Sequence, residues 1–303
     1  MDMKEPTKFS PTKFSPTKLS DRALLVKLTI RRAPLTRRDD QVTHAIQQQY
    51  GDNSLSAFTK LFRNDTSPVY HIMRAVNEIY TFHRQHTLPY VDAGPRILPN
   101  NNYFEYTQEM RARIAHVEAM LNQWMPHYDQ LVRDDILHRN GGQPTGRASV
   151  SDYPTAEEFR ARMSFDLRFQ PMPDAKHFLF DLSDEDEQAF NRAMDDAMKL
   201  ARNDTVARML EPLQHLVARL DEYKGEKGQR FHTSTIENVI EGCRMARRLA
   251  IDPPQDFIDQ INELERLCAG YVFGVEALKE SPSAREAARD RLKAIADTMA
   301  AFA

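Results

Sequence analysis

The sequence predicts a mainly α-helical protein, built as a bundle of long helices with a small antiparallel β-sheet of about three strands. Apolar residues recur at intervals of three and four over most of the chain, which is the period of an amphipathic helix. They alternate at every second position near residues 24–30 and 165–170, as they do in half-buried strands. Glycine is rare, at ten of 303 residues, which favours long uninterrupted helices.

The first 21 residues are predicted to form a disordered basic arm. Residues 6–20 repeat a five-residue unit three times (PTKFS, PTKFS, PTKLS), and the proline in every unit prevents a helix. Two interpretations stay open, since the arm could contact nucleic-acid phosphates or could be a tail without a packed role. The lysines that would make the phosphate contacts are Lys8, Lys13 and Lys18.

The net charge of −3 conceals an uneven distribution along the chain. Residues 1–38 contain ten lysines and arginines but only three acidic residues, a net charge of +7. The remaining 265 residues contain 31 basic and 41 acidic groups, a net charge of −10. A basic arm on an acidic body is typical of proteins that bind nucleic acid or an acidic partner, and also of a merely soluble tail.

The first folded elements are predicted to be a strand and a short helix. The apolar positions that define one face of the strand are Leu24, Val26, Leu28 and Ile30. Thr36 and Asp39 resemble a capping box, and they predict a helix that Gly51 closes. A short amphipathic turn is expected to follow around residues 55–62.

Two long helices are predicted on either side of a connector that contains prolines. Ser67 and Pro68 suit the N-cap and the first position of a helix that ends before Pro89. A run of three asparagines caps a second helix, which reaches about Arg139. Because Pro126 lies inside that second helix, a kink or two helices end to end are expected there.

The connector between these helices, residues 87–102, is predicted to be ordered and packed against the body. It contains three prolines, each of which biases the preceding residue towards extended backbone, and aromatic residues flank it. A long structureless loop is uncommon in a compact domain, so this segment is expected to be packed or functional. The residues in and directly after the connector that are predicted to contact a partner are Tyr90, Arg96 and Tyr103.

The middle of the chain is predicted to contain a loop, a short helix and a hairpin. Residues 140–152 contain three glycines, two serines and a proline and are interpreted as a linker or mobile loop. Thr155 and Glu158 predict a capped helix. Residues 165–170 and 178–182 are predicted to form two strands, which the first strand joins to complete the sheet.

From residue 183 onward the sequence predicts helices alone. The first extends to about residue 224, with a bend near Pro212, and four acidic residues in its first turn complement the helix dipole. Three more helices are expected near residues 234–250, 254–279 and 282–302, with starts marked by Ser234, Pro253 and Ser281. The predicted organisation is an arm (1–21), a main helical domain with the small sheet (22–225) and C-terminal helices packed on it (226–303).

The sequence offers no motif for catalysis or for a cofactor. It lacks the signatures of phosphate-binding loops, dinucleotide-binding folds and serine hydrolases, so no catalytic residue and no cofactor are predicted. His83 and His86 could share a metal ion with Asp92, but a helix C-terminus favours such side chains without a metal, and we prefer that interpretation. Cys243 and Cys268 lie on apolar helix faces and are expected to be buried, reduced thiols in a reducing cytoplasm.

A second group of basic residues surrounds the predicted turn from strand to helix. Such a cluster could bind phosphates. Asp39 and Asp40 follow directly and could neutralise it, so a solvated face or internal ion pairs are the alternative. The members of the cluster are Lys27, Arg31, Arg32, Arg37 and Arg38.

Four segments of the chain carry a family resemblance: LLVKLTIRR (24–32), TFHRQHTLPY (81–90), LPNNNYFEYTQEMR (98–111) and YPTAEEFRARMSFDLRFQPMPD (153–174). They resemble a family of phage and prophage proteins of unknown function, which are often encoded beside a MoxR-type AAA ATPase and a von Willebrand factor A protein. The resemblance covers about residues 24–225. It implies a phage origin, a place in the host cytoplasm and, by association, a role near a ring ATPase.

Two functional hypotheses follow from these observations. The first is a non-enzymatic phage accessory protein that binds another protein, an AAA ATPase or a host factor, and oligomerisation is left open. The alternative is a nucleic-acid-binding protein that uses the arm and the Arg31 to Arg38 cluster. No membrane partner is predicted, since no apolar run is long enough to cross a bilayer.

Overall fold

The computed structural model describes residues 19–62, 66–90, 94–173, 183–226 and 229–302. It confirms a mainly helical fold that carries a three-stranded antiparallel sheet, and it adds a separate two-stranded ribbon. The lysines of the repeat, up to Lys18, and the predicted strand at 178–182 lie outside the described residues.

Eleven α-helices and five β-strands are assigned within the described ranges. The helices are α1 (Leu19–Arg22), α2 (Asp40–Tyr50), α3 (Pro68–Gln85), α4 (Tyr103–Trp124), α5 (Tyr128–Arg139), α6 (Ala156–Arg162), α7 (Asp184–Glu222), α8 (Thr233–Leu249), α9 (Gln255–Phe273), α10 (Val275–Glu280) and α11 (Pro282–Ala300). The strands are β1 (Ala23–Arg31), β2 (Thr36–Arg38), β3 (Phe58–Lys60), β4 (Arg96–Pro99) and β5 (Ser164–Pro171). Residues 19–21, predicted as part of the arm, therefore belong to a helical turn.

Strand β1 is the centre of the main sheet, whose order is β4-β1-β5 with both pairings antiparallel. The predicted alternation is confirmed, because Val26, Leu28 and Ile30 face the first hydrophobic cluster. The opposite face of β1 begins apolar, with Leu25 buried, and becomes polar at Lys27 and Arg31. One strand therefore contributes to two cores and to an open surface.

The third strand of the sheet comes from the connector. Arg96–Pro99 pairs with the first half of β1, and Leu88 exchanges backbone hydrogen bonds with Ile97. Leu88, Ile97 and Leu98 are fully buried, so the described part of the connector is packed, as predicted. The sequence predicts no strand here, because β4 is only four residues long and shows no visible alternation.

The ribbon corrects the prediction for residues 36–62. Thr36–Arg38 is a strand that pairs with the strand Phe58–Lys60. Thr36 therefore does not cap a helix, and a strand occupies the middle of the segment 55–62 that was predicted to be an amphipathic turn. Asp39 is the N-cap of α2, and its side chain accepts the Val42 amide at 3.0 Å. Aspartate in this position satisfies one of the free amides of the first turn. Gly51 closes the helix at φ 66°, as predicted.

Helices α3, α4, α5 and α6 pack with one face of the sheet around the first hydrophobic cluster. The predicted long helix to Arg139 is divided at a 3₁₀ turn, Met125–His127, which contains Pro126. Proline cannot donate the helical hydrogen bond, which is why α4 and α5 are two helices end to end. Thr155 and Glu158 form the predicted capping box of α6.

Residues 140–152, interpreted from the sequence as a linker or mobile loop, form a loop that does not separate two cores. Ala148 and Tyr153 are buried in the same cluster as Ile136, so the segment belongs to one core on both sides. The Asn140 side chain closes the loop, because its amide donates to the Ala148 carbonyl at 3.0 Å and accepts the Ala148 amide at 2.9 Å. The glycines that suggested flexibility provide the turn that this closure requires, with Gly141 at φ 66°.

The C-terminal helices follow the prediction with two changes. Ser183 and Ser281 cap α7 and α11 through their side chains. His232, not Ser234, is the N-cap residue of α8, and it makes no side-chain cap. The predicted helix 254–279 is two helices that meet at Gly274. None of the helices described here is long and apolar enough to cross a membrane.

The second half of α7 shares a hydrophobic cluster with α8, α9, α10 and α11. Cys243 and Cys268 are buried free thiols in this cluster, as predicted, and burial raises the pKa of each to about 12. A third cluster joins the bundle to the sheet, because Ala201 of α7 and Leu249 of α8 pack with Ala23 and Ile97. The division into domains 22–225 and 226–303 stays a prediction.

Replacement of Asn140 by alanine is expected to lower the free energy of unfolding by about 1–3 kcal/mol, since it removes two hydrogen bonds that close the 140–148 loop. Urea denaturation measures this change. Gln143→Ala in the same loop is the control, because Gln143 is exposed. Equal effects of the two substitutions would contradict the assignment of Asn140 as the closing residue.

Candidate functional site

A polar cleft of about 790 Å³ lies between the ribbon, the end of α5 and the segment 147–152. We call it the arginine cleft, because basic side chains dominate its lining. The basic residues are Arg37, Arg38, Lys60, Arg139 and Arg147, with His138 beside them. The acidic residues are Asp39, Asp40 and Asp152. Lysines and arginines therefore outnumber aspartates in the cleft, although the body as a whole is acidic.

The arginine cleft is built over a buried carboxyl group. One oxygen of Asp135, Oδ2, accepts the Phe62 amide at 2.9 Å and the Tyr153 hydroxyl at 2.5 Å. Its other oxygen, Oδ1, is buried without a hydrogen-bond partner in the described part of the chain. These contacts fix three segments that are far apart in sequence, the end of β3, α5 and the residues before α6.

Phe62 is held in an unusual backbone conformation by this arrangement. Its φ of 52° lies in the left-handed region, which is costly for a residue with a bulky side chain. The ring is buried against Tyr128, Tyr153 and Phe159, with centroid distances from 5.1 to 6.3 Å. Packing of this ring and the hydrogen bond to Asp135 together offset the strain.

A chain of polar contacts leads from Tyr153 to the cleft surface. The Arg139 guanidinium donates to the Tyr153 hydroxyl at 2.9 Å and pairs with Asp152 Oδ2 at 3.3 Å. Arg37 pairs with the other oxygen of Asp152 and donates to the Ser151 carbonyl at 2.8 Å. Burial, and then the bond to Asp135, raise the pKa of Tyr153, so this hydroxyl stays protonated and acts as a donor. Arg37 and Arg139 are therefore held in place by the protein.

Arg147 and Asp39 form the opposite wall of the cleft, with 2.6 Å between the guanidinium and the carboxylate. Asp39 also accepts the Thr59 hydroxyl at 3.2 Å. The hydrogen bond from the Val42 amide, reinforced by Arg147, lowers the pKa of Asp39 below its usual value. Asp39 is thus both the cap of α2 and the anchor of the 147–152 segment.

Two cations of the cleft are left for a ligand. Lys60 makes no ion pair or hydrogen bond through its side chain with any residue that the structure describes. Arg38 approaches Asp40 at 3.4 Å, but the two side chains are 54% and 86% exposed. A pair this exposed contributes little, because water and salt screen it. Arg38 and Lys60 can therefore exchange solvent for an anion at small cost.

The structure divides the predicted basic cluster among three places. Arg37 and Arg38 line the arginine cleft. Lys27 and Arg31 lie on the open face of the sheet, where β5 places Arg168 directly opposite Lys27. Arg32 donates to the Asn77 side chain on α3 at 2.8 Å. The basic residues between 27 and 38 therefore do not lie together in one phosphate-binding patch.

The three connector residues predicted to contact a partner make contacts within the protein. Arg96 donates to the Thr87 hydroxyl at 2.7 Å and to its carbonyl at 2.9 Å. Tyr90 approaches the Met194 sulfur at 3.9 Å, and Tyr103 packs on the Phe169 ring. Their role in binding a partner stays a prediction.

The two histidines at the end of α3 are packed rather than paired. The His83 ring is buried, and its Nδ1 lies 2.7 Å from the Tyr106 hydroxyl. His86 is half-buried and stacks on Phe82 with 4.0 Å between ring centroids. No cluster of three metal-ligating side chains occurs among the described residues, and Asp92 lies outside them.

Most of the arginine cleft is not visible in the sequence. Lys60, Arg139 and Arg147 are single basic residues in three separate segments, and no spacing links them. The available signal was the pair Asp135 and Tyr153, a carboxyl group and a hydroxyl at apolar positions, but their contact is visible only in the fold.

Comparisons with protein-family models, with curated proteins and with solved structures find no match to this chain.

The buried histidine predicts a pH dependence of stability. Burial, and then the charge of Arg96, lower the pKa of His83 to about 4, against an ordinary value of 6.5. The unfolded chain therefore binds the proton first, and the free energy of unfolding decreases as the pH falls from 6.5 to 4, by at most about 1.4 kcal/mol per pH unit for this residue. His83→Gln is expected to flatten this slope in urea denaturation at pH 4.5–7, since glutamine can still bond to Tyr106. The control is His44→Gln, which changes an exposed histidine, and equal flattening of the slope by both substitutions would contradict the assignment to His83.

Proposed function

We propose that the protein binds nucleic acid through its phosphate backbone, without catalysis, and that the arginine cleft is the binding site. The observation that supports this proposal is the convergence of five basic side chains from four separate segments on one cleft. Arg37 and Arg139 are oriented by Asp152 and Tyr153, whereas Arg38 and Lys60 are available to a ligand. The site therefore combines fixed and available positive charges.

Phosphate is the anion that suits these side chains best. The guanidinium group presents a rigid fork of donors that matches phosphate and carboxylate oxygens in pairs, and lysine supplies a compact positive charge. The cleft is open and about 790 Å³ in volume, which allows an elongated ligand to pass through rather than enclosing a small one. A polymer of phosphates meets several cations at once, and each contact releases bound counterions.

The acidic body does not exclude a polyanion from this cleft. Residues after 38 carry a net charge of −10, but charges more than about 8 Å away are largely screened at physiological salt. The groups within the cleft therefore dominate the local potential, and among them Lys and Arg exceed Asp. The positive charges in the cleft therefore favour binding of a polyanion. Because salt screens these charges too, the affinity should fall as the salt concentration rises.

The protein partner implied by the phage-family resemblance, an AAA ATPase or a host protein, stays a prediction. It is compatible with nucleic-acid binding, since one accessory protein can present two separate surfaces. The phage origin and the host cytoplasm likewise stay expectations from the resemblance alone.

Replacement of Arg38 and Lys60 together by alanine is expected to lower the affinity for a fluorescent mixed-sequence 30-mer by at least about tenfold at low salt, because two phosphate contacts are lost. For a single-stranded 30-mer, the plot of log affinity against log salt should become shallower by about 1.4. Fluorescence anisotropy over a series of sodium chloride concentrations measures both quantities.

The matched control is Arg74→Ala with Lys199→Ala, which removes the same charge from exposed positions on α3 and α7. A variant that lacks residues 1–18 separates the cleft from the arm and should keep most of the affinity. The proposal is wrong if the full-length chain binds neither strand form at low salt, or if the control lowers affinity as much as the cleft variant. Loss of binding on arm deletion would place the site in the arm.

A further inference from the structure

The exposed face of the ribbon carries an aromatic ring among cations. In the register of the ribbon, Arg38 lies opposite Phe58 and Thr36 lies opposite Lys60. Side chains alternate between the two faces of a strand, so these four residues share one face. The other face carries Arg37 and Thr59, which bind Asp152 and Asp39 inside the cleft wall. The face with Phe58 is the more exposed of the two, since Arg38, Phe58 and Lys60 are all exposed whereas Thr59 is half-buried, and residues of both faces line the cleft.

Phe58 is 64% exposed, although phenylalanine is ordinarily a core residue. A single exposed apolar side chain needs no functional explanation. The position of this ring is the unusual feature. Arg38 lies directly across the ribbon from Phe58, at about 5 Å between Cβ atoms, and Lys60 follows two residues along the strand, at about 7 Å. The ring and both cations line the same cleft.

We infer that the arginine cleft is selective for single-stranded nucleic acid, with a base stacked on the ring of Phe58 while Arg38 and Lys60 contact the flanking phosphates. This inference rests on the proposed function and specifies its substrate. Stacking on an aromatic side chain is favourable for every base, so the site would tolerate different sequences.

The geometry favours single strands over a duplex for a physical reason. In a duplex the face of each base is covered by its neighbours, so an exposed phenyl ring finds nothing to stack on. A duplex would therefore meet only the cations of the cleft. In a single strand the base can turn out and cover the ring, and it then gains contacts that the duplex cannot make.

The experiment compares Phe58→Ala, Phe58→Leu and Phe58→Tyr in the full-length chain, with a mixed-sequence 30-mer as the probe, single-stranded and as a duplex. Phe104→Ala is the matched control, because Phe104 is 82% exposed and lies in the first turn of α4, far from the cleft. The 22 residues of α4 span about 33 Å, and only the end of the next helix, α5, lines the cleft. Fluorescence anisotropy at several salt concentrations gives the affinity and its salt dependence.

The wild-type chain should bind the single strand more tightly than the duplex. Phe58→Ala and Phe58→Leu should each lower single-strand affinity about tenfold or more, leave duplex affinity and the salt slope unchanged, and so remove the preference. Phe58→Tyr should keep it, since tyrosine retains an aromatic face. Phe104→Ala should behave as the wild type.

The inference is overturned if Phe58→Ala binds the single strand as the wild type does, or if it weakens single strand and duplex equally. In both cases the proposed function survives, provided that the variant without Arg38 and Lys60 still loses affinity. Absence of binding by the wild-type chain to either probe at low salt would instead refute the proposed function itself.

Discussion

The arginine cleft depends on the two hydrogen bonds that the buried carboxyl group of Asp135 accepts. This group receives the Phe62 amide and the Tyr153 hydroxyl on a single oxygen, inside a core lined by aromatic rings. A buried donor that loses its acceptor costs about 1–3 kcal/mol, so each of these two donors holds its segment against Asp135. The carboxyl group thereby fixes the distance between the ribbon, α5 and the residues before α6.

The ion pairs of the cleft are too weak to fix its geometry by themselves. Arg147–Asp39 and Arg38–Asp40 involve partly or largely exposed side chains, and such pairs contribute between zero and about 1 kcal/mol each. The contacts to Asp135 are buried and directional, so they dominate the local geometry. The ion pairs then orient cations on a frame that already exists, which explains why a site rich in charge can be well ordered.

The parts of the fold that sequence analysis predicted are those with local signals. Strand β1 shows its alternation over nine residues, and α3 shows its apolar face from Val69 to Phe82. Strand β4 and the ribbon were missed because segments of three or four residues have no measurable period. The closure of the 140–152 loop was not predicted, because glycine and serine indicate a turn but do not reveal that Asn140 closes it. The cleft joins residues about 100 positions apart, and one sequence contains no record of that proximity.

Hydrogen exchange of an Asp135→Ala variant, followed by mass spectrometry, tests the central claim most directly. If Asp135 fixes both walls of the cleft, amide exchange should accelerate in residues 58–62 and 147–153 and stay unchanged in α9 and α11. The neighbouring, exposed Asp134→Ala is the control and should exchange as the wild type does. Unchanged exchange in both walls, or equal acceleration throughout the chain, would contradict the assignment of Asp135 as the residue that holds the cleft together.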